Sequence, residues 1–358
     1  MREYVEEKVM KFSAGMLLAV TVIFSVLYMK LPDVHTWALA REGVMVQFEE
    51  EQNEQKNMSN LALKDTQMVD EENHMQLRLT LPQGVSGEQV KLENDYLTQT
   101  LCIEIPHTDD SYFSSYPITG SSDRIEGLSY AQGKKVDLIE ITTDKVYELA
   151  TEYDEEYYYL DFIEPQELYE HVVVIDAGHG GNDGGAEKSG ILEKDIDLAI
   201  VLALKELLDA SEEDIKVYYT RTDDSNPSYA NRVGLANKSN ADLFISVHNN
   251  SYRRSSSISG TEVMYSTSHE GAFTSERLAE ICMEELTATL GSRDRGLLEG
   301  DSIYIINNSE IPVALIEVGF MTNKEELKLL NSKEYQKKTA EAIYKAIFRA
   351  LEEVDAIE

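Results

Sequence analysis

The sequence predicts three parts in order. They are an N-terminal transmembrane helix, a small all-β sandwich-like domain over residues 74–165, and an α/β domain with a largely parallel, doubly covered sheet over 171–354. Three observations predict them. Eighteen residues without a charge run from Phe12 to Met29, alternating apolar and polar runs separated by turns fill the middle, and from residue 172 apolar strands alternate with amphipathic helices.

The first 30 residues read as a cytoplasmic tip and an anchor. As a helix, the run FSAGMLLAVTVIFSVLYM would rise about 27 Å at ~1.5 Å per residue, enough to cross a hydrocarbon core. Arg2, Lys8 and Lys11 precede it, and only Lys30 and Arg41 follow closely, which biases the N-terminus inwards and the rest of the chain outwards. Ala38-Leu39-Ala40 has the small-x-small pattern of a signal cleavage site, so secretion after cleavage is the alternative; it lies well beyond the apolar run. Residues 31–73, with stretches such as FEEEQNEQK, read as an acidic stalk.

In the middle, Met75–Leu81, Thr98–Ile105, Val136–Thr142 and Glu156–Ile163 alternate or are rich in β-formers. Turn signals such as Pro82-Gln83-Gly84 and Gln132-Gly133-Lys134 separate them, and with no helices between them they suggest a sandwich. Tyr157, Tyr158 and Tyr159 lie in the last run, where alternate members should face the core.

In the C-terminal part, Val172–Ile175, Ile215–Tyr219, Leu243–Val247, Val263–Tyr265 and Val313–Val318 read as strands. Residues 195–208, 229–238, 273–290 and 335–351 read as helices. Ligands in such folds gather at the carboxyl ends of the strands. The polar residues sit there: Asp176 to Gly181 (DAGHGG) follows the first strand, His248-Asn249-Asn250 follows LFISV, Glu317 ends VALIEV, and Glu193 precedes the first helix. Two imidazoles and a carboxylate, His179, His248 and Glu193, would supply the three protein ligands of a catalytic zinc. Glu317 would be left to handle protons. Asp176 could orient a ligand histidine or serve only a structural turn. Each residue alone has an ordinary reading, and Glu193 could simply complement a helix dipole. Neither HExxH nor a phosphate loop is present.

Four motifs in order resemble the zinc-dependent N-acetylmuramoyl-L-alanine amidase family of the amidase-3 type, over Val172 to about Ala346. They are VVVIDAGHGGNDGGA, GILEKDIDL, TRTDDSNPSYANRVGLANKSNADLFISVHNN and PVALIEVGFMTNKEE. The resemblance implies one Zn²⁺ per chain held by His179, Glu193 and His248, with Glu317 catalytic. It also implies hydrolysis of the amide between N-acetylmuramic acid and L-alanine in peptidoglycan. Two places depart from the family pattern: Asn249 stands where a small Ala is usual, and Ile306-Asn307 falls where a Leu-Arg pair is common, after an expected strand holding Ile303 and Tyr304, so that Asn307 would remove a cation near the rim. The short stretch between Asn250 and Gly260 leaves no room for the autoinhibitory helix of some members. The middle domain resembles, by architecture alone, β-sandwich wall-targeting domains of some cell-wall amidases.

The expected partners are peptidoglycan, the membrane through the N-terminal helix, and an unidentified protein activator. The expected location is a single-pass anchor in the cell membrane with the catalytic domain facing the wall. Two competing readings are a catalytically silent wall-binding or regulatory protein and a zinc peptidase acting within the stem peptide. Charge excludes one class: 66 acids against 32 bases give −34, so no basic footprint for nucleic acid exists. The acidity is uneven, with 29 acids and 9 bases in residues 41–170. Electrostatic attraction to anionic wall polymers is therefore not the expected targeting device. Cys102 and Cys282 fall in different expected domains and are read as separate buried thiols.

Overall fold

The computed structural model describes residues 76–357 except 117, 121–122 and 269–270, together with the short strand Lys64–Asp65. The expected anchor at Phe12–Met29, and all of the stalk except that strand, lie outside the described residues. Among the described residues no helix is long and apolar enough to cross a membrane.

The N-terminal part runs β1 (Lys64–Asp65), β2 (Leu77–Thr80), β3 (Lys91–Asp95), β4 (Thr100–Pro106), α1 (Tyr112–Ser115), β5 (Thr119–Gly120), β6 (Ile125–Ala131), β7 (Val136–Thr143), β8 (Glu148–Tyr153) and β9 (Tyr157–Ile163). One sheet has the order β1-β5-β2-β9-β8 and the other β3-β4-β7-β6. Strict alternation drives the packing. In β4, Leu101, Ile103 and Ile105 point inwards, as do Ile139 and Ile141 of β7, and they meet Leu77, Leu79, Leu160 and Phe162 of the facing sheet in one core. Tyr158 is buried in that core, whereas Tyr157 and Tyr159 are only half-buried, as period two requires.

The C-terminal part runs β10 (His171–Ala177), β11 (Glu187–Lys188), β12 (Ile191–Leu192), α2 (Glu193–Asp209), β13 (Ile215–Tyr219), α3 (Tyr229–Lys238), β14 (Leu243–Asn250), β15 (Thr261–Tyr265), α4 (Ser275–Leu290), β16 (Asp294–Glu299), α5 (Tyr304–Asn307), β17 (Val313–Phe320), α6 (Lys324–Leu330) and α7 (Lys333–Asp355). The main sheet has the order β13-β10-β14-β17-β15-β16. It is mixed rather than purely parallel, because β15 runs antiparallel to β17. The other neighbouring pairs are parallel.

Both faces of this sheet are covered, as continuous apolar strands demand. On one face Val173, Ile175, Ile245, Val247, Ala314 and Ile316 pack under α2, α4 and α7. The long helix α7 fits because Ala340, Ile343, Ala346, Ile347 and Ala350 recur at helical spacing and are all buried. On the other face Val172, Val174, Phe244 and Leu315 meet α3 and α5, and also Val146, Tyr96 and Leu97 from the sandwich. Glu148 of the sandwich accepts hydrogen bonds from the Tyr218 and Tyr96 hydroxyls and pairs with Lys216 at 2.7 Å. The described residues thus fall in one compact unit, Ser59–Glu358. Cys282 is buried in the first of these cores, Cys102 is half-buried, and no disulfide joins them.

Candidate metal centre

Strand register sets the first part of the site. His248 of β14 lies directly opposite Glu317 of β17, and Glu317 in turn lies opposite Glu262 of β15. Val247, Ile316 and Val263, the neighbours of these residues along their strands, belong to the core under α2, α4 and α7, so alternation turns His248, Glu317 and Glu262 to the α3/α5 face.

His179 arrives from the turn after β10. Its backbone is left-handed, with φ of 57°, a conformation that costs an L-residue about 1–2 kcal/mol. Specific bonds hold it there. Arg232 Nη2 donates to the His179 carbonyl at 2.6 Å, and Asp183 Oδ2 lies 2.8 Å from His179 Nδ1. Lys194 Nζ pins the same loop through the Gly181 carbonyl at 2.9 Å and Asp224 at 2.8 Å. Glycine is required at 185, where φ is 65° and a Cβ would come within 2.6 Å of both Glu193 Oε2 and the His179 ring.

Glu193 opens α2 and collects the site around one oxygen. Its Oε1 lies 3.1 Å from His179 Nε2 and 3.1 Å from His248 Nδ1, and it accepts from the Asn249 backbone N–H at 3.1 Å. Its Oε2 accepts from the Ala186 N–H at 2.6 Å. The imidazole rings are 4.8 Å apart and nearly perpendicular. The donor chemistry fits a cation. A carboxylate only accepts, so Asp183 places the proton of a neutral His179 on Nδ1 and leaves the Nε2 lone pair aimed at Glu193. Lone pair against lone pair is repulsive unless a metal ion or a second proton lies between them. Burial pushes the His179 pKa down, but Glu193 and Asp183 outweigh it and bring it up to about 9, so without metal a proton fills that role. Burial likewise disfavours the Glu193 anion, and the two histidines more than offset it, holding this carboxyl well below the usual range.

Two further acids complete the centre. Asp197, one helical turn after Glu193, is buried, and His179, Glu193, Asp197 and His248 each offer a ligand atom within 4.8 Å of the others. Asp197 Oδ1 accepts from Asn249 Nδ2 at 2.7 Å, while its Oδ2 is buried without a partner. Glu317 Oε2 is also buried without a partner, whereas neighbouring Glu262 is engaged by Asn250 and Arg295, each at 2.8 Å. Burial first, then the negative charges of Glu193 and Glu262, raises Glu317 well above an ordinary carboxyl. A cavity of about 350 Å³ opens onto His179, Glu193, His248 and Glu317, with Tyr229, Tyr304 and Leu315 among its walls.

Known proteins resemble the C-terminal part of the chain. A solved N-acetylmuramoyl-L-alanine amidase from Clostridium difficile 630 is 34% identical, covering 51% of this chain and 97% of that one with a TM-score of 0.48. The family model for N-acetylmuramoyl-L-alanine amidase matches residues 173–349. The uncharacterized protein YqiI of Bacillus subtilis (strain 168) is 42% identical over 175 residues, which are 49% of this chain and 82% of that protein. The germination-specific N-acetylmuramoyl-L-alanine amidase of the same strain is 34% identical over 192 residues, 50% of this chain and 78% of that protein. The chain belongs to the N-acetylmuramoyl-L-alanine amidase family.

In this amidase-family chain the structure brings together all four residues singled out from sequence, His179, Glu193, His248 and Glu317. Other expectations are corrected. Asp176 is not a turn residue, and its hydrogen-bond partners are not histidines: it lies within β10, 1% exposed, where Arg232 pairs with it at 2.6 Å and Thr220 and Ser246 donate to it at 2.6 Å each. Burial alone would raise its pKa, but Arg232 and the two hydroxyls outweigh that and lower it. The segment around Ile303 and Tyr304 is not a strand but the one-turn helix α5 with Ile303 as its cap. Asn307 is exposed on α5 and is not among the residues lining the cavity. Residues 251–260 join β14 to β15 without a helix. Sequence reasoning missed Asp183 and Asp197, although each stands four residues after a singled-out ligand, a spacing that puts Asp197 on the inward face of α2.

Proposed function

We propose that this protein is a zinc-dependent cell-wall hydrolase that cleaves the amide between the lactyl group of N-acetylmuramic acid and L-alanine. The observation that carries the reading is the convergence of His179 Nε2, His248 Nδ1 and Glu193 Oε1 beside the partnerless Glu317 Oε2, at the mouth of one cavity. Two nitrogens and one carboxylate oxygen form the donor set of a catalytic zinc site. Zinc bound by these three residues supplies Lewis acidity towards water and towards a carbonyl oxygen.

The protein's own groups do the rest. Asp183 fixes the His179 tautomer and the backbone N–H groups of Ala186 and Asn249 hold Glu193, so the ligands are oriented before any metal arrives. Glu317 takes a proton from the attacking water and returns it to the leaving amine of L-alanine. The chain before residue 60 supports a tethered enzyme: the uncharged run Phe12–Met29 would anchor it in the membrane with the catalytic domain towards the wall, and the β sandwich would assist wall contact.

The test is digestion of purified peptidoglycan by the zinc-loaded chain, followed by mass analysis. The amidase reading expects free L-alanine amino termini on released stem peptides, and Glu317→Gln should keep its zinc while releasing none. Fragments cut within the stem peptide would mean a peptidase instead. Full activity in Glu317→Gln would overturn the proton-transfer role.

A further inference from the structure

The residues that line the cavity are of two kinds, aromatic and apolar on the one hand and polar on the other. Tyr229, the first residue of α3, and Tyr304, the first residue of α5, stand side by side with ring centroids 6.2 Å apart and planes 30° from one another. They are 57% and 48% exposed, among the most exposed large apolar side chains of the described residues. Ile303, Ile305 and Leu315 continue this wall inwards. Among the described residues neither phenol hydroxyl has a hydrogen-bond partner. The same cavity is also lined by the polar residues Asn250 and Ser251 at the end of β14, and the chain then carries the exposed Arg253 and Arg254. Neither arginine has an ion-pair partner among the described residues, in a protein of net charge −34.

We infer that Tyr229 and Tyr304 form the subsite for the sugar ring of the substrate, which places the peptide on the Asn250–Arg254 side. This rests on the amidase reading, because the bond that reading assigns has a pyranose on one side and a peptide on the other. A pyranose presents an apolar C–H face rimmed by hydroxyls. Two exposed aromatic faces with outward phenols match that face and rim together, since tyrosine couples a flat apolar body to a polar tip. A peptide offers instead amides and at least one carboxylate, which suit the polar wall and its unpartnered arginines. Exposing two rings leaves apolar surface in water, which a ligand covering both would bury in part. Among the described residues no hydrogen bond or ring contact joins Tyr229 or Tyr304 to a candidate metal ligand, so their effect should fall on binding and substrate choice.

The experiment uses the full zinc-loaded chain, Tyr229→Ala/Tyr304→Ala and Tyr229→Phe/Tyr304→Phe. Two readouts are taken: equilibrium binding of a peptide-free N-acetylglucosaminyl-N-acetylmuramic acid disaccharide, and kcat/KM on a disaccharide-peptide against a D-lactoyl-L-alanyl peptide that has the same amide without the sugar. The double alanine variant should retain the parent's zinc content, lose disaccharide binding at least tenfold, and lower the preference for the sugar-bearing substrate at least tenfold, through KM. The phenylalanine pair should restore most of both. Equal losses on the two substrates, or unchanged disaccharide binding in the alanine pair, would overturn the inference. A parent that binds the disaccharide through these tyrosines yet cuts neither substrate would sustain the subsite and sink the amidase reading.

Discussion

Replacing Asp176 by alanine removes the carboxylate that faces the Arg232 guanidinium at 2.6 Å, in a place where the two side chains are 1% and 2% exposed. The guanidinium would remain surrounded by the carbonyls of Ala177, His179 and Pro227 and the Asn226 amide oxygen, with no carboxylate against it. Breaking a buried pair by removing one partner destabilises by about 3–5 kcal/mol, and the Thr220 and Ser246 hydroxyls lose their acceptor as well. We expect Asp176→Ala to lose about 4 kcal/mol, a large part of the ~5–15 kcal/mol that typically holds a folded domain together. Asp176→Asn, which keeps an acceptor but no charge, should lose less. The assay is urea denaturation of zinc-free protein followed by far-ultraviolet circular dichroism. The sign with pH follows from the lowered pKa: the stabilisation is present above the unfolded value near 3.8 and is lost as the solution is acidified through the folded value. A loss under about 1 kcal/mol in Asp176→Ala at neutral pH would refute the reasoning, since it would mean that water satisfies Arg232 as well as the carboxylate does.

Three further outcomes follow from the same geometry. With His179 raised from 6.5 to about 9, its protonation stabilises the zinc-free fold fully below pH 6.5 and ceases to do so as pH rises through 9. Metal-free protein should therefore be weaker at pH 10 than at pH 6 by on the order of 3 kcal/mol from this group, while calorimetry in buffers of different ionisation enthalpy should show zinc uptake releasing protons at pH 7; no proton release would contradict the geometry. Gly178→Ala places a Cβ inside the His248 ring, so zinc affinity measured by chelator competition should fall at least tenfold with the fold retained, and an unchanged affinity would mean that the ring is not held where it lies. Asn249→Ala deprives Asp197 Oδ1 of its donor at a buried position and should cost about 1–3 kcal/mol of stability; denaturation midpoints equal to the parent would show that the pair is not load sharing.

Much of the catalytic part was legible because its signals are local. The runs VVVI, LFISV and VALIEV are strands since only a sheet covered on both faces accepts unbroken apolar sequence, and α3 and β13 were bounded correctly. Elements that exist because something packs on them were not legible. β16 (DRGLLE) carries charges and little alternation, α5 is a single turn held down by the buried Ile305 and Ile306, and α6 is seven residues long. In the sandwich, β3 (KLEND) and β8 (ELATEY) have no fully buried residue, so nothing in their pattern separates them from loops.

Of the site, the sequence by itself singled out His179, Glu193 and His248 as candidate ligands but not Asp197, because imidazole and carboxylate chemistry belongs to the residue type and the strand-end position follows from apolar runs. It also determined that Glu317 is a strand-end acid with no local reason to be there. Only the tertiary structure decided how these groups meet. Sheet order and register set His248 opposite Glu317, the left-handed turn brings His179 to the same Glu193 oxygen, and Asp176 proves to anchor Arg232 rather than a ligand. The two tyrosines on the cavity rim belong to different helices, 75 residues apart in sequence, and became neighbours only when α3 and α5 packed on one face of the sheet. The physical reason is that residue type and short-range pattern act through the chain's own geometry, whereas proximity between distant segments arises from burial and strand pairing, which depend on the whole fold.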